Sequence, residues 1–385
     1  MRVLRVISSV DLSNGGPING LINSSAMLQK NGVEVHVASL DGCNYEVSKF
    51  PFKLFSFDAF TPARLSFDFR SWINSEIKNY DVIVIHGLWQ MHGIFTAKAC
   101  VEKNIPYVLF THGMLDPWFD LNAPLKRLKK LIYWFAFERY TINRAERVLF
   151  TSEDEKVLAR NNFPCYSANE YVISYGSPLP DYDLSVCSNL FKSRYPSLDN
   201  KRYFLFLSRV HPKKGVDLLI KAFARLKDCD HYLAIAGPVD DHYKKVLEEI
   251  INQCGIERRV VWLGMLKDEL KWGAFNEADA FVLPSHQENF GIVVSEALSL
   301  GKVVLTTNKV NIWREILDSH AGYVANDDVE GVEDVLQGWL STSPEEQRIM
   351  AKNAMQCYQT RFSIDAAVSD MEDVLRLAFN KKYGG

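Results

Sequence analysis

Short runs of β-branched and aliphatic residues alternate along this chain with longer stretches in which apolar residues recur every three or four positions. The short runs read as strands and the longer stretches as helices. In the first half the strands fall at 3–7, 33–38, 81–85, 107–110, 147–150 and 171–174, and the first helix spans 18–30, closed by Gly32. Gly176-Ser177-Pro178-Leu179-Pro180 interrupts the pattern, and a polar stretch runs on to Asn200. The alternation then restarts, with strands at 203–207, 232–236, 260–263, 280–283, 303–306 and 322–325. Helices are expected at 215–227 and 242–254, and a helical tail at about 344–377, with Phe362 and Met371 as packing residues. Unbroken Val/Ile/Leu runs between helices predict parallel sheets covered on both faces. The predicted class is therefore α/β, with two doubly wound domains over 1–180 and 181–360. In such sheets ligands bind beyond the carboxyl ends of the strands.

Composition narrows the functional classes. The chain has 385 residues, a formal net charge of −3 and 24% charged residues, which gives no reason to expect a nucleic-acid partner. No apolar run reaches the roughly 18 residues of a membrane span. Residues 1–7 read as a buried strand rather than a signal peptide, so a cytoplasmic protein is expected. Seven cysteines, at 43, 100, 165, 187, 229, 254 and 357, include no C-x-x-C pair, and reduced structural thiols are expected.

The densest chemistry lies in Ser285-His286-Gln287-Glu288-Asn289-Phe290-Gly291-Ile292-Val293-Val294-Ser295-Glu296, between an apolar strand and Gly301. If a helix begins near Phe290, its unpaired N–H groups and partial positive charge form a seat for phosphate. Glu288 lies just before that helix and Glu296 roughly 7–8 Å further along, at about 1.5 Å per residue. Carboxylates on either side of a phosphate can hold hydroxyl groups, a pattern that suits a nucleotide-sugar.

Three further segments carry candidate chemistry. In Arg209-Val210-His211-Pro212-Lys213-Lys214-Gly215 a strand end supplies Arg209, and Lys214 opens an amphipathic helix. Together their charges can neutralise a pyrophosphate. Asn14-Gly15-Gly16-Pro17 follows the first strand, and Gly15 and Gly16 allow close backbone approach to a ligand. This is not G-x-G-x-x-G, which counts against a nicotinamide dehydrogenase. Thr111-His112-Gly113 and His86-Gly87-Leu88-Trp89 each follow a strand. His86 and His92 have no carboxylate or third His at metal-ligand spacing, so no metal site is expected.

Glu288 to Glu296 matches the E-x7-E motif of family-4 retaining glycosyltransferases, and Arg209 to Gly215 resembles the same family's R-x-x-P-x-K-G element. The likeness is specific over about 200–325 and looser before it. It implies the GT-B fold, two Rossmann-like domains facing across a cleft, with an N-terminal acceptor domain and a C-terminal donor domain. The segment 361–385 is expected to cross back to the N-terminal domain. The resemblance implies transfer of a hexose with retention, from UDP-glucose or another UDP-hexose, or else GDP-mannose, to a saccharide or lipid-linked acceptor. Cell-surface polysaccharide or glycolipid synthesis is the implied setting. His112, Glu288, Arg209 and Lys214 are the implied catalytic group. Gly15, Gly16, Gly237, Leu266, Asn289, Phe290, Gly291 and Glu296 join Arg209, Lys214 and Glu288 around the donor, with His86 and Trp89 on the acceptor side. No cofactor or metal is expected, since positive side chains would take the cation's part. One departure is Asn289, where the family usually has Gly. Asn tolerates positive φ, so the loop is expected to keep its shape.

The segment 126–139 is basic at one end and aromatic at the other. It reads as a core-packing helix with Lys and Arg in solvent, although the same pattern suits peripheral contact with an anionic membrane at its inner face. Two other functions stay open: a nucleotide-sugar epimerase of the same fold, and a noncatalytic nucleotide- or sugar-binding protein, including a transferase that has lost turnover.

Overall fold

The computed structural model describes residues 1–11, 16–42, 50–60, 63–117, 124–226 and 229–383. The chain divides into two compact units, one of Met1–Gly176 with Ile364–Gly385 and one of Ser177–Ser363.

The first unit holds a seven-stranded sheet of β1 (Arg2–Val6), β2 (Glu34–Ser39), β3 (Lys53–Ser56), β4 (Val82–His86), β5 (Tyr107–Phe110), β6 (Arg147–Phe150) and β7 (Glu170–Val172). Its order is β3-β2-β1-β4-β5-β6-β7, and every pairing is parallel. Side chains alternate between two apolar layers, as the period of two requires. Leu4, Val6, Ile83, Ile85 and Leu109 enter one layer, while Val3, Val82, Val84, Val108 and Leu149 enter the other. The final helix, Ile364–Tyr383, covers the second layer with Val368, Met371, Val374, Leu375 and Ala378. Asn31 donates to Glu372 across that contact at 2.6 Å.

The second unit holds β8 (Tyr203–Leu207), β9 (Tyr232–Ala236), β10 (Val260–Gly264), β11 (Ala280–Leu283), β12 (Val304–Thr307) and β13 (Gly322–Ala325). The order is β10-β9-β8-β11-β12-β13, again parallel throughout. Strand order therefore reverses between β1 and β4 in one unit and between β8 and β11 in the other. Ligands favour the carboxyl side of such switch points.

Two features depart from expectation. Strand β3 is a four-residue edge strand with only Leu54 fully buried, so Lys53-Leu54-Phe55-Ser56 carries almost no apolar run. The segment at 126–139 is helical over Pro124–Tyr133 but continues through a wide π turn, Trp134–Glu138, into Arg139–Asn143. It does not pack as a core helix with charges outward. Leu125, Leu128, Ile132 and Phe135 are exposed, while Trp134 and Glu138 are buried. Periodicity defines a stripe on a helix but not the side that faces the core.

At the amino ends of the second sheet, buried His231 meets Asp279 at 2.9 Å, and Asp279 also accepts from Trp339 and Arg202. Burial works against the His231 charge, but the carboxylate outweighs it and the pKa rises from 6.5 to about 9. A raised pKa means stability that is full below about 6.5 and lost as pH climbs through 9. His231→Gln is expected to cost about 1–3 kcal/mol at pH 6, a gap that narrows steadily towards pH 10, read from urea unfolding at each pH. A gap independent of pH would rule out the ion pair as its source.

Candidate functional site

In the second unit, two loops leave neighbouring strands at the switch point. One follows β8 and contains Arg209 to Gly215; the other follows β11 and contains Pro284 to Gly291. Gly215 joins them. It has φ +65°, and a Cβ there would stand 2.0 Å from the Pro284 carbonyl oxygen, so any side chain would force the loops apart. His286 N–H donates to the Lys213 carbonyl at 2.9 Å and closes the same seam. Gly237 after β9 plays a similar part, since its Cβ would meet the Ser208 carbonyl at 1.8 Å. Its role is to let the backbone behind Arg209 pack closely.

The seam brings Lys214 to Glu288. The two side chains form an ion pair, both largely shielded from solvent. Glu288 is fixed from behind: its N–H donates to Lys309, and its carbonyl accepts from Asn311, each at 2.9 Å. The helix starts two residues later than the sequence suggests, at Ile292, with Gly291 in the left-handed region at φ +69°. Glu296 therefore sits in the second turn, where it accepts from Lys271 at 2.8 Å. Each carboxylate of the motif thus carries its own lysine. Arg209 is exposed, and no ion pair to it is formed by a described residue.

The remaining predicted donor residues divide by role. Asn289 is absent from the positive-φ residues, so its tolerance of that region is not what preserves the loop. Its amide oxygen instead faces Asn311 at 3.4 Å, a contact glycine lacks. Phe290 is buried and packs edge-on against Phe362 at 5.5 Å, and Leu266 is buried as well. Gly15 lies outside the described residues, while Gly16 is the first residue of the helix Gly16–Lys30.

In the first unit, a chain of hydrogen bonds runs from β1 to His112. Buried Arg5 donates from Nε to His86 Nε2 at 3.2 Å and from Nη1 to Leu21, Ser24 and Ser25. His86 Nδ1 meets His112 Nε2 at 3.0 Å. Arginine has no acceptor, so His86 must accept at Nε2 and carry its proton on Nδ1. His86 then donates to His112, which keeps its own proton on Nδ1. Burial, then the charge of Arg5, pulls the His112 pKa down to about 3 and holds His86 well below its usual value, so both rings are neutral at pH 7. His86 is buried, and its ring stacks on that of His112 at 5.3 Å between centroids. Trp89 donates through its indole to the Met114 carbonyl at 3.1 Å and carries Lys130 over its face.

The His112 backbone is in the left-handed region at φ +50°, followed by Gly113 at φ +74°. Buried Glu155 holds it there. One oxygen accepts from Thr111 Oγ1 at 2.5 Å and from Gly113 N–H at 2.6 Å. The other accepts from the N–H and hydroxyl of Thr151, both at 2.8 Å. Four donors satisfy a carboxylate that would otherwise be costly to bury. Arg5, Glu155 and Lys271 were missed by sequence reasoning. Each acts through a partner distant in the chain, although an arginine inside the apolar run of β1 was a visible irregularity. Among the described residues no three His, Cys, Asp or Glu side chains group as a metal site.

Comparison with known proteins shows the family and the fold. Residues 15–176 match the family described as Glycosyltransferase Family 4, and residues 189–356 match Glycosyl transferases group 1. The chain is 24% identical over 250 residues to an alpha-D-kanosaminyltransferase of Streptomyces kanamyceticus, covering 62% of each chain. It is also 24% identical to the alpha-1,3/1,6-mannosyltransferase ALG2 of Dictyostelium discoideum, over 78% of this chain and 76% of that one. Among solved structures, Anabaena Alr3699/HepE in complex with UDP and glucose superposes with a TM-score of 0.76 at 19% identity, covering 98% of this chain and all of that one. The chain belongs to the family-4 glycosyltransferases and has the GT-B fold.

Proposed function

We propose that this glycosyltransferase moves a hexose, with retention, from a nucleoside diphosphate sugar to a saccharide or lipid-linked acceptor. A UDP-hexose, glucose first, is the favoured donor and GDP-mannose the second. Polysaccharide or glycolipid assembly is the setting this implies. The observation that carries the reading is the pair of lysine-matched carboxylates, Glu288 and Glu296, flanking a helix start at the β8–β11 switch point. That helix start suits a diphosphate, and the carboxylates suit hydroxyl groups on either side of it. The UDP and glucose held by the Anabaena neighbour favour this donor class.

In this reading Lys214, Arg209 and the N–H groups at Ile292 stabilise the charge that grows on the leaving diphosphate, with no metal required. Glu296, held by Lys271, accepts the ribose hydroxyls. Glu288 accepts hydroxyls of the donor sugar, and its pairing with Lys214 links sugar recognition to phosphate neutralisation. Neutral His112 offers its Nδ1 proton to a sugar hydroxyl. The acceptor attacks from the leaving-group face, and a donor phosphate oxygen takes its proton. Neither glutamate is a nucleophile.

Thermal shifts with UDP, GDP and ADP test the donor. At about 100 times its dissociation constant, the matching nucleotide is expected to add roughly 2.7 kcal/mol of stability, lost in Glu296→Ala. No shift with any of them would sink the donor reading. Release of nucleoside diphosphate only when an acceptor saccharide is present separates a transferase from an epimerase and from a binding protein.

Glu155 supplies a second test, as a positioning residue. Glu155→Gln is expected to lower kcat by on the order of tenfold to a hundredfold, with the UDP shift and the KM for donor unchanged, since a displaced His112 costs orientation. An unchanged kcat in a folded variant would remove the assignment.

A further inference from the structure

At the amino ends of the second sheet, His231 just before β9 and Asp279 just before β11 belong to a cluster that the transfer chemistry does not use. His231 is 2% exposed and held on one side, where Nε2 donates to Asp279 at 2.9 Å and Phe204 stacks on the ring at 5.0 Å between centroids. Asp279 is fixed in turn by the Trp339 indole at 2.8 Å and by Arg202 at 3.0 and 3.1 Å. A carboxylate so placed keeps one proton on Nε2 and favours a second on Nδ1. That second nitrogen is buried and makes no hydrogen bond. The exposed Asp230 carboxylate lies 3.3 Å from it without forming one, and the Cys229 thiol faces the same ring and the His231 backbone N–H.

A second donor is left over beside it. Arg259 donates from Nε to the His231 carbonyl at 3.2 Å and lies over the Phe223 ring at 4.3 Å, while its Nη2 is buried with no acceptor. Buried donors are seldom left unmatched, and two on charged groups call for an anion between them. The group at hand is the sulfur of Cys229, on which the Arg259 charge also acts. Cys100, Cys187 and Cys357 are buried, and burial pushes their thiols up. Cys229 is half-buried. Burial pushes the same way there, but the bonds and charge of His231, then the charge of Arg259, outweigh it and bring the thiol below its ordinary value. The thiolate is the nucleophilic form of cysteine, and a neighbouring imidazolium is what stabilises it. Among the described residues these side chains do not group as a metal site.

We propose that Cys229, set against the His231 ring and Arg259, is a reactive thiol at which this protein is modified by hydroperoxides. The thiolate attacks one peroxide oxygen, so that an S–O bond forms as the O–O bond breaks. Sulfur is oxidised to the sulfenic acid, the peroxide is reduced, and the proton on His231 Nδ1 passes to the leaving oxygen to give water or an alcohol. The new oxygen supplies an acceptor for donors that had none. The modification leaves the loops of Lys214 and Glu288 clear, because those leave the carboxyl ends of β8 and β11.

The test is alkylation of the full chain by iodoacetamide across a range of pH, followed at each cysteine by peptide mass spectrometry, with exposed Cys165 as the internal reference. The midpoint of the Cys229 rate profile is expected about one pH unit or more below that of Cys165, a comparison that does not depend on access. His231→Gln should raise that midpoint towards the reference, and Arg259→Gln should raise it by less. Hydrogen peroxide followed by dimedone, which traps sulfenic acids, should label Cys229 ahead of Cys165 in the wild type. Urea unfolding shows that each variant is folded, and the wild-type profile decides alone if neither is. A Cys229 midpoint at or above that of Cys165 would overturn the proposal. So would an unchanged midpoint in folded His231→Gln, or dimedone labelling of Cys165 without Cys229.

Discussion

The close approach of Gly215 to the Pro284 carbonyl is the contact on which the second unit's site depends. Two parallel strands end side by side at the switch point, and their loops would diverge if either carried bulk there. A hydrogen in place of a Cβ lets them touch, and the His286–Lys213 backbone bond then holds the seam. Everything else at that site follows from it. Lys214 reaches Glu288, the β11 loop presents Gly291 in the left-handed region, and the helix of Glu296 starts beside them.

A common device appears in both units, in which charged groups at strand ends are matched before any ligand arrives. Glu288 and Glu296 each have a lysine, Arg5 is enclosed by hydroxyl and carbonyl acceptors, and Glu155 is surrounded by four donors. The two kinds of matching differ in consequence. Lys214–Glu288 and Lys271–Glu296 are largely shielded but still reach solvent. Arg5 and Glu155 are sealed from solvent and act through His86, Thr111 and Gly113 to fix the ring of His112. A neutral histidine held in this way carries a hydrogen-bond donor but no charge, and the positive charge lies on lysine and arginine.

Much of this architecture was legible in the chain. Runs such as 82–85 and 280–283 have to be buried on both faces, and helices of matching length between them leave a parallel sheet as the solution. Strand β3 escaped because an edge strand with one buried side chain needs no apolar run. The site was legible where its residues are local. Glu288 and Glu296 share one turn-and-helix, and Arg209 and Lys214 share one loop. Asn289 shows the opposite case: residue type alone suggests a role in a strained turn, whereas the backbone places the left-handed residue at Gly291.

The sequence by itself determined the elements, the doubly wound class and the spacing of the motif carboxylates, because periodicity, turn chemistry and helical rise act over a few residues. Tertiary structure alone decided who meets whom. Lys214 and Glu288 are 74 positions apart, and Glu155 lies more than 40 positions from the loop it holds. It also decided that the stripe Leu125, Leu128, Ile132 and Phe135 faces outward. A helix of that composition can bury either side, and the choice was made by Trp134 and Glu138, whose hydrogen bonds to Pro164 and Trp89 exist only once the unit is folded.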